Sequence, residues 1–86
     1  MKTSTDHKMT LAELARGESR TVVSVHGESV VTRRLMEMGV IPGVAVRMVK
    51  SAPFGDPIEI NVRGYNLALR RNEAESVELE QVTGNE

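Results

Sequence analysis

The sequence predicts a mainly β protein, a small barrel of about five short strands with one short inserted α-helix. Several segments alternate apolar and polar residues, which is the period of a half-buried strand. A single segment, residues 30–38, has the apolar spacing of a helix with one buried face. With 86 residues the chain has room for one core. So many half-buried strands, with so little helix to cover them, are expected to curl on themselves.

The two ends of the chain bound the predicted domain. Residues 1–9 and 83–86 are polar and aperiodic, so we expect flexible tails on either side of an ordered domain at 10–82. At the start of that domain Thr10 precedes Glu13 by three positions, the spacing of a capping box. A short helical turn is therefore expected there.

The first long strand and the helix follow each other. Segment 20–26 is rich in β-branched residues and predicts a strand. The helix at 30–38 is expected to have Ser29 as its N-cap and to end at Gly39. The apolar stripe that should face the core consists of Val31, Leu35 and Met38.

Two further strands and a hairpin come next. Residues 41–44 have the Pro-Gly pattern of a type II turn, and 44–51 and 58–62 alternate as strands. We predict a two-residue hairpin turn at 64–65, with the glycine first. This register pairs Arg63 with Asn66, Val62 with Leu67, and Ile60 with Leu69. Both apolar pairs then lie on one face of the sheet, so the register is self-consistent.

The last quarter of the sequence predicts a capped turn and a closing strand. Asn72 and Glu75 have the spacing of a cap, and Val77 and Leu79 alternate with acidic residues. The carboxylates of this quarter are expected to form a solvated face, namely Glu73, Glu75, Glu78 and Glu80. An SH3-like barrel fits the whole set of elements best.

Composition excludes several functions. The chain has no cysteine, which excludes disulfides, a thiolate nucleophile and cysteine-ligated metals. A net charge of −1 argues against nucleic-acid binding, because that needs excess positive charge. The chain has no phosphate-binding loop and no zinc-protease motif. Its apolar runs are too short to cross a bilayer, and we expect no signal peptide. We therefore expect a cytoplasmic binding module rather than an enzyme.

The candidate metal ligands are few. His26 and Glu28 stand two positions apart at a strand end and could form a two-ligand surface site, which is not a closed site. With Ser29 they also suggest a Ser/His/acid arrangement, but neighbours in sequence at a strand end rarely converge. His7 lies in the predicted tail, where a solvated side chain is the simpler interpretation.

The predicted helix carries the candidate partner surface. Arg33 and Arg34 stand beside apolar residues that the core stripe does not use, namely Val30, Met36, Val40 and Ile41. An exposed, flexible methionine suits a protein-binding surface. Two alternatives stay open: Met36 covers the open end of the barrel, or these apolar residues support weak self-association.

The same segment carries a family resemblance. Residues 34–43, R-L-M-E-M-G-V-I-P-G, resemble the signature R-L-x-x-[ML]-G-[LIV]-x-P-G of the ferrous iron transport protein A (FeoA) family. The similarity continues in register through V-R-M-V-K-S-A-P-F-G-D at 46–56 and P-I-E-I-N-V-R-G-Y-N-L-A-L-R-R at 57–71. It also includes T-L-A-E-L at 10–14, and it spans about residues 9–80.

The resemblance implies an SH3-like barrel with an inserted helix and no enzymatic activity. It implies a small bacterial protein that assists or regulates ferrous uptake by contacting FeoB, a membrane permease with its own cytoplasmic GTPase domain. This places the chain in the cytoplasm, at the inner face of the membrane. The residues first expected at that contact are Arg33, Arg34, Met36, Glu37 and Ile41.

The resemblance also leaves an alternative function. The fold is similar to the C-terminal domain of iron-dependent repressors, so the chain could be a metal-sensing module. No cofactor is required in either case. A divalent metal, iron or zinc, at a surface site near His7, His26 or Glu28 is the further expectation.

Overall fold

A computed structural model describes residues 9–27 and 29–81, which form six strands and two α-helices. The strands are β1 Met9–Thr10, β2 Ser19–Val25, β3 Ala45–Ser51, β4 Ile58–Val62, β5 Tyr65–Leu69 and β6 Val77–Leu79, and the helices are α1 Ser29–Glu37 and α2 Arg71–Ala74. A 3₁₀ turn, Leu11–Glu13, follows β1. The predicted mainly β fold with a short inserted helix is confirmed.

All strand pairs in the sheet are antiparallel, in the order β1-β6-β2-β3-β4-β5. The register shifts between Val22 and Ser24 on β2 and between Met48 and Lys50 on β3. Such irregularities bend and twist a strand, which helps a short sheet to curl. The order brings β6, the last strand, between β1 and β2, so residues far apart in sequence lie side by side in the sheet.

The core comes from alternate residues of the strands and one side of α1. On β4 the three apolar residues Ile58, Ile60 and Val62 are buried and the two polar residues between them are half-buried. Leu35 of α1 is fully buried, whereas Val31 and Met38 are half-buried against the core. Val40, expected to be exposed, is also fully buried. The chain turns inward after the helix, where the Val40 N–H donates to the Leu35 carbonyl at 3.0 Å.

The predicted hairpin register is wrong by two residues. The turn is made by Arg63 and Gly64, with φ of 54° and 90°, the two positive values of a type I′ turn. The observed pairs are Val62 with Tyr65, Asn61 with Asn66, Ile60 with Leu67, and Ile58 with Leu69. Because side chains alternate with a period of two, a shift of two leaves the same residues on the buried face. The apolar pattern therefore could not distinguish the two registers.

The three predicted caps have different outcomes. Ser29, expected as the N-cap of the helix, is instead the first residue of α1. The Thr10 N–H donates to Glu13 Oε1 at 2.9 Å, as expected for half of a capping box. The predicted cap of Asn72 by Glu75 is wrong, because Glu73 Oε1 accepts the Arg70 N–H at 3.0 Å instead. Helix α2 therefore begins one residue before Asn72.

The ends of the domain fall near the predicted positions. Met9, which the sequence placed in the tail, pairs with Leu79 and forms part of β1. The turn at 41–44 is closed by a hydrogen bond from the Val44 N–H to the Ile41 carbonyl at 3.2 Å. The flexible tails predicted before Met9 and at 83–86 lie outside the described residues.

Candidate functional site

An open groove of about 710 Å³ runs between α1 and the end of β2. It is lined by Val25, Gly27, Ser29, Thr32, Arg33, Met36 and Glu37. The groove therefore contains three of the five residues that the sequence selected for partner contact: Arg33, Met36 and Glu37. This groove is therefore the part of the surface where most of the predicted partner-contact residues lie together.

The helix presents these side chains because its other side is committed to the core. Leu35 has no exposed surface and fixes the buried side of the helix, whereas Arg33, Met36 and Glu37 are exposed. Met36 is 42% exposed and Val30 is 75% exposed. Arg33 and Glu37 are exposed and form no ion pair within the part of the chain that the structure describes. The groove thus has an apolar centre and one free charge of each sign.

Arg34 and Ile41 stand apart from this groove. The Arg34 guanidinium donates from Nη1 to Glu73 Oε2 at 2.9 Å, and Glu73 is only 6% exposed. The expectation that Glu73 lies on a solvated face is therefore wrong. Since the same carboxylate caps α2, it joins the two helices, and Arg34 positions α1. Ile41 is half-buried and lies outside the groove lining.

Tyr65 also holds the helix, a role that sequence reasoning missed by placing this residue in a turn. Its hydroxyl donates to the Met38 carbonyl at 2.9 Å, just beyond the end of α1. A Cβ on Gly39 would lie 3.2 Å from that hydroxyl oxygen, so a side chain there would crowd it. The hairpin of β4 and β5 therefore fixes the C-terminal end of the candidate surface.

A polar cluster lies next to the groove on β2 and β6. His26 Nε2 is 2.7 Å from Ser24 Oγ and 3.0 Å from Glu78 Oε1, and the Ser24 hydroxyl donates to the same carboxylate oxygen at 3.0 Å. Both contacts of His26 use one ring nitrogen, whereas a nucleophile relay needs one contact on each nitrogen. The cluster therefore lacks the arrangement of a catalytic triad.

The same cluster tests part of the prediction that His26 and Glu28 form a surface metal site. The carboxylate beside His26 is Glu78, brought there because Ser24 pairs with Glu78 across the sheet. The other two candidates, His7 and Glu28, lie outside the described residues. Across residues 9–27 and 29–81, no group of three or more His, Cys, Asp or Glu side chains is placed to hold a metal. The alternation of apolar and polar residues along β6 could not identify Glu78 as the neighbour of His26, because it does not show that β6 pairs with β2.

The carboxyl group of Glu18, in the loop before β2, has a displaced pKa. The Ala15 N–H donates to Glu18 Oε1 at 2.9 Å, and Arg20 donates to Glu18 Oε2. These two interactions, the backbone donor first, lower the pKa of Glu18 below its usual value. This group supports the loop before β2 and has no part in the groove.

Of the helices in the described ranges, none has the length and apolar character to cross a bilayer. The strand order and the inserted helix place the protein in the class of small SH3-like barrels, here with an open groove beside the helix. Residues 9–81 match the sequence model of the FeoA domain. The chain belongs to the FeoA domain family, which is associated with ferrous iron transport.

Solved structures agree with this assignment. FeoA from Stenotrophomonas maltophilia, a prokaryotic SH3 domain protein solved with zinc, is 39% identical with a TM-score of 0.74, over 84% of this chain and 89% of that one. FeoA from Chlorobium tepidum is 44% identical with a TM-score of 0.81, over 91% of this chain and 74% of that one.

A curated relative extends the comparison to a larger protein. It is the Fe(2+) transport protein A/Fe(2+) transporter FeoB fusion protein of Porphyromonas gingivalis, which is 36% identical over 77 residues. The match covers 90% of this chain but spans only 9% of the length of the fusion protein.

Proposed function

We propose that this protein is an accessory and regulatory component of bacterial ferrous iron uptake that acts by contacting a FeoB-type permease. The groove carries the proposal, because it offers an apolar centre at Met36 between the unpaired charges of Arg33 and Glu37. The fusion relative supports the choice of partner, since that protein joins a similar domain to a FeoB transporter in one chain. The contact would take place in the cytoplasm, at the inner face of the membrane.

The chemistry of the groove suits a protein partner. Protein interfaces commonly combine a desolvated apolar centre with a polar rim, and arginine is enriched in them. Arg33 can donate two parallel hydrogen bonds to a carboxylate, and Glu37 can accept from a cation. Met36 can adapt its three-torsion side chain to an apolar pocket. The helix that presents them is held at three points, by Leu35, by Arg34 and by the Tyr65 hydroxyl.

Titration calorimetry against a full-length FeoB-type permease in detergent tests this proposal. It should be run with and without a GTP analogue and ferrous ion. Met36→Asp places a charge at the apolar centre and should weaken binding about tenfold or more. Ala45→Asp is the matched control, because Ala45 is exposed on β3, lies outside the groove and receives the same charge.

The outcomes separate the groove from other surfaces. Loss of binding in Met36→Asp with full binding in Ala45→Asp supports the contact. Equal losses in both variants, or full binding by Met36→Asp, would contradict it. Sedimentation of the chain alone at several concentrations checks whether a second copy occupies the same groove.

A metal-sensing module is the second candidate, favoured by one distance. His26 Nε2 and Glu78 Oε1 lie 3.0 Å apart, close enough for both atoms to ligate one divalent ion, with water completing the shell. Such an ion, iron or zinc, would replace the contact between His26 and the Ser24 hydroxyl. Binding would alter the rim of the groove through β2.

Zinc titration followed by NMR of the histidine rings tests the second candidate. His26→Ala should abolish the response of this site, whereas His7→Ala is the control for a site elsewhere. If zinc affinity does not change in His26→Ala, the ion binds at another place. Permease binding that requires ferrous ion would favour this candidate over simple contact.

A further inference from the structure

A second cavity lies at the other end of β2 from the groove. It measures about 170 Å³ and is lined by Ala12, Leu14, Arg16, Met48, Lys50, Ser51, Ile58 and Arg71. Its three charged residues are all cations, and they come from three separate segments: the loop before β2, the end of β3 and the start of α2. Sequence reasoning assigned no role to this combination.

The donors of these cations are largely unused. Lys50 Nζ is 3.9 Å from Glu59 Oε1, and Arg71 Nε is 3.6 Å from Glu75 Oε2. Both distances exceed that of a hydrogen bond, so the carboxylates lower the local potential without occupying the N–H groups. Arg16 has no ion pair within residues 9–27 and 29–81.

Two arginines outside the cavity, Arg20 and Arg34, are held by carboxylates at hydrogen-bond distance. Arg20 donates to Glu18 at 2.7 Å, and Arg34 donates to Glu73 at 2.9 Å. In those pairs the guanidinium is already engaged by a carboxylate. Within the described residues, none of the three cations of the cavity has a carboxylate oxygen at that distance.

The loop between β3 and β4 holds Arg71 in position. Asp56 Oδ1 accepts the backbone N–H of Arg71 at 3.0 Å. Gly55 has a φ of 79°, and a Cβ on it would lie 3.1 Å from Arg71 Nη1. A side chain at this position would crowd the guanidinium, so glycine leaves the space that Arg71 uses.

We infer that this cavity binds a single phosphate group. Two guanidinium groups can each donate parallel hydrogen bonds to phosphate oxygens, while Lys50 adds a point charge and Ser51 a hydroxyl donor. The apolar floor of Leu14, Met48 and Ile58 reduces screening of these charges. The volume is below the roughly 300 Å³ at which clefts begin to hold drug-sized ligands, so one phosphate group fits but a nucleotide does not.

The phosphate can come from solution or from a lipid headgroup. Phe54 is adjacent to Gly55 and is 95% exposed at the tip of the loop. An aromatic ring in this place can enter the boundary between headgroups and acyl chains while the phosphate occupies the cavity. The two sources share one recognition chemistry and differ only in whether Phe54 contributes.

Calorimetric titration of the full chain with inorganic phosphate is the first arm of the test. Arg16→Gln and Arg71→Gln should each weaken binding about tenfold, since each removes charged hydrogen bonds. Arg33→Gln is the matched control, with the same charge change in the groove. Thermal melting of each variant checks that the fold is intact. Arg16→Gln should leave the melting temperature unchanged, because Arg16 makes no ion pair with any residue that the structure describes.

The second arm of the test measures competition between phosphate and other anions, and binding of the chain to lipid vesicles. If nitrate or chloride displaces phosphate equally well, or if Arg33→Gln loses as much affinity as Arg16→Gln, the site holds an adventitious ion only and the inference is overturned. Binding to phosphatidylglycerol vesicles that is lost in both Phe54→Ser and Arg16→Gln identifies a lipid headgroup. Binding of free phosphate without vesicle binding identifies a soluble ligand, and absence of both overturns the site.

Discussion

The two cavities of this barrel differ in shape and in how they use charge. The groove beside α1 is open, its centre is apolar, and its charges are one cation and one anion. The cavity beside the β3–β4 loop is smaller, and every charged side chain that lines it is a cation. A broad surface with both charges suits a protein that brings complementary charges, whereas a small cavity with one sign suits a small anion. The fold thus separates two recognition chemistries at opposite ends of β2.

Adjacent residues on α1 also differ in whether they are held by the fold or left exposed. Arg33 lines the groove without an ion pair in the described ranges, while Arg34 is bound to the buried Glu73. Leu35 is fully buried, while Met36 is 42% exposed. Within this nine-residue helix, neighbouring residues therefore have different roles: some hold the helix to the core, and others remain exposed for binding.

The largest expected effect separates the buried and exposed sides of α1. Leu35→Ala should lower the free energy of unfolding by about 2–5 kcal/mol, because it leaves a cavity in the core. Met36→Ala should change it by less than about 0.5 kcal/mol, because surface substitutions generally have small effects. Urea denaturation of both variants measures the difference. Similar losses would show that Met36 covers the end of the barrel instead of lining a free groove.

A smaller loss is expected where the two helices are joined. Glu73→Ala should cost about 1–3 kcal/mol of stability, because it leaves the Arg70 N–H without its carboxylate and releases Arg34. Glu75→Ala is the control, since its carboxylate is 56% exposed and 3.6 Å from Arg71. The same denaturation experiment applies. If the two variants are equally stable, Arg34 is not held by Glu73 in solution.

The hairpin that supports the end of α1 offers a stabilising change. Arg63 adopts a φ of 54°, and asparagine is better suited to that conformation ahead of Gly64. Arg63→Asn should therefore raise the free energy of unfolding by about 0.5–1 kcal/mol. Under the register first predicted from sequence, residue 63 would lie in a strand, and the same change would weaken the hairpin. The sign of the change in denaturation midpoint distinguishes the two registers.

The smallest effect concerns pH and the loop before β2. Because the pKa of Glu18 is lowered from 4.5 in the folded protein, its contribution to stability is present above that value and is lost as the pH falls through the folded pKa. Glu18→Gln should lack this part of the acid dependence. Urea denaturation of both proteins between neutral and strongly acidic pH measures the difference, and identical curves for the two proteins would contradict the prediction.

The hairpin and the caps show where sequence reasoning stopped. Alternation on β4 predicted which residues are buried, but it could not choose between turns at 63–64 and 64–65, since both place the same side chains inward. The cap of α2 was misplaced because Asn72 with Glu75 and Arg70 with Glu73 both have the required spacing of three. For the hairpin and for the cap, the local sequence pattern is compatible with two positions, and only the folded structure shows which one is used.

The sequence by itself determined the β class and the inserted helix, because these depend on composition and short-range periodicity, and its motifs carried the family resemblance. It left open whether Met36 is exposed on a partner surface or covers the end of the barrel. Tertiary structure decided the rest. It placed Glu78 beside His26, buried Glu73 against Arg34, and gathered three cations around one cavity. Each of these arrangements joins segments more than 20 residues apart in sequence. The order in which strands pair sets such contacts, and periodicity along the chain does not encode that order.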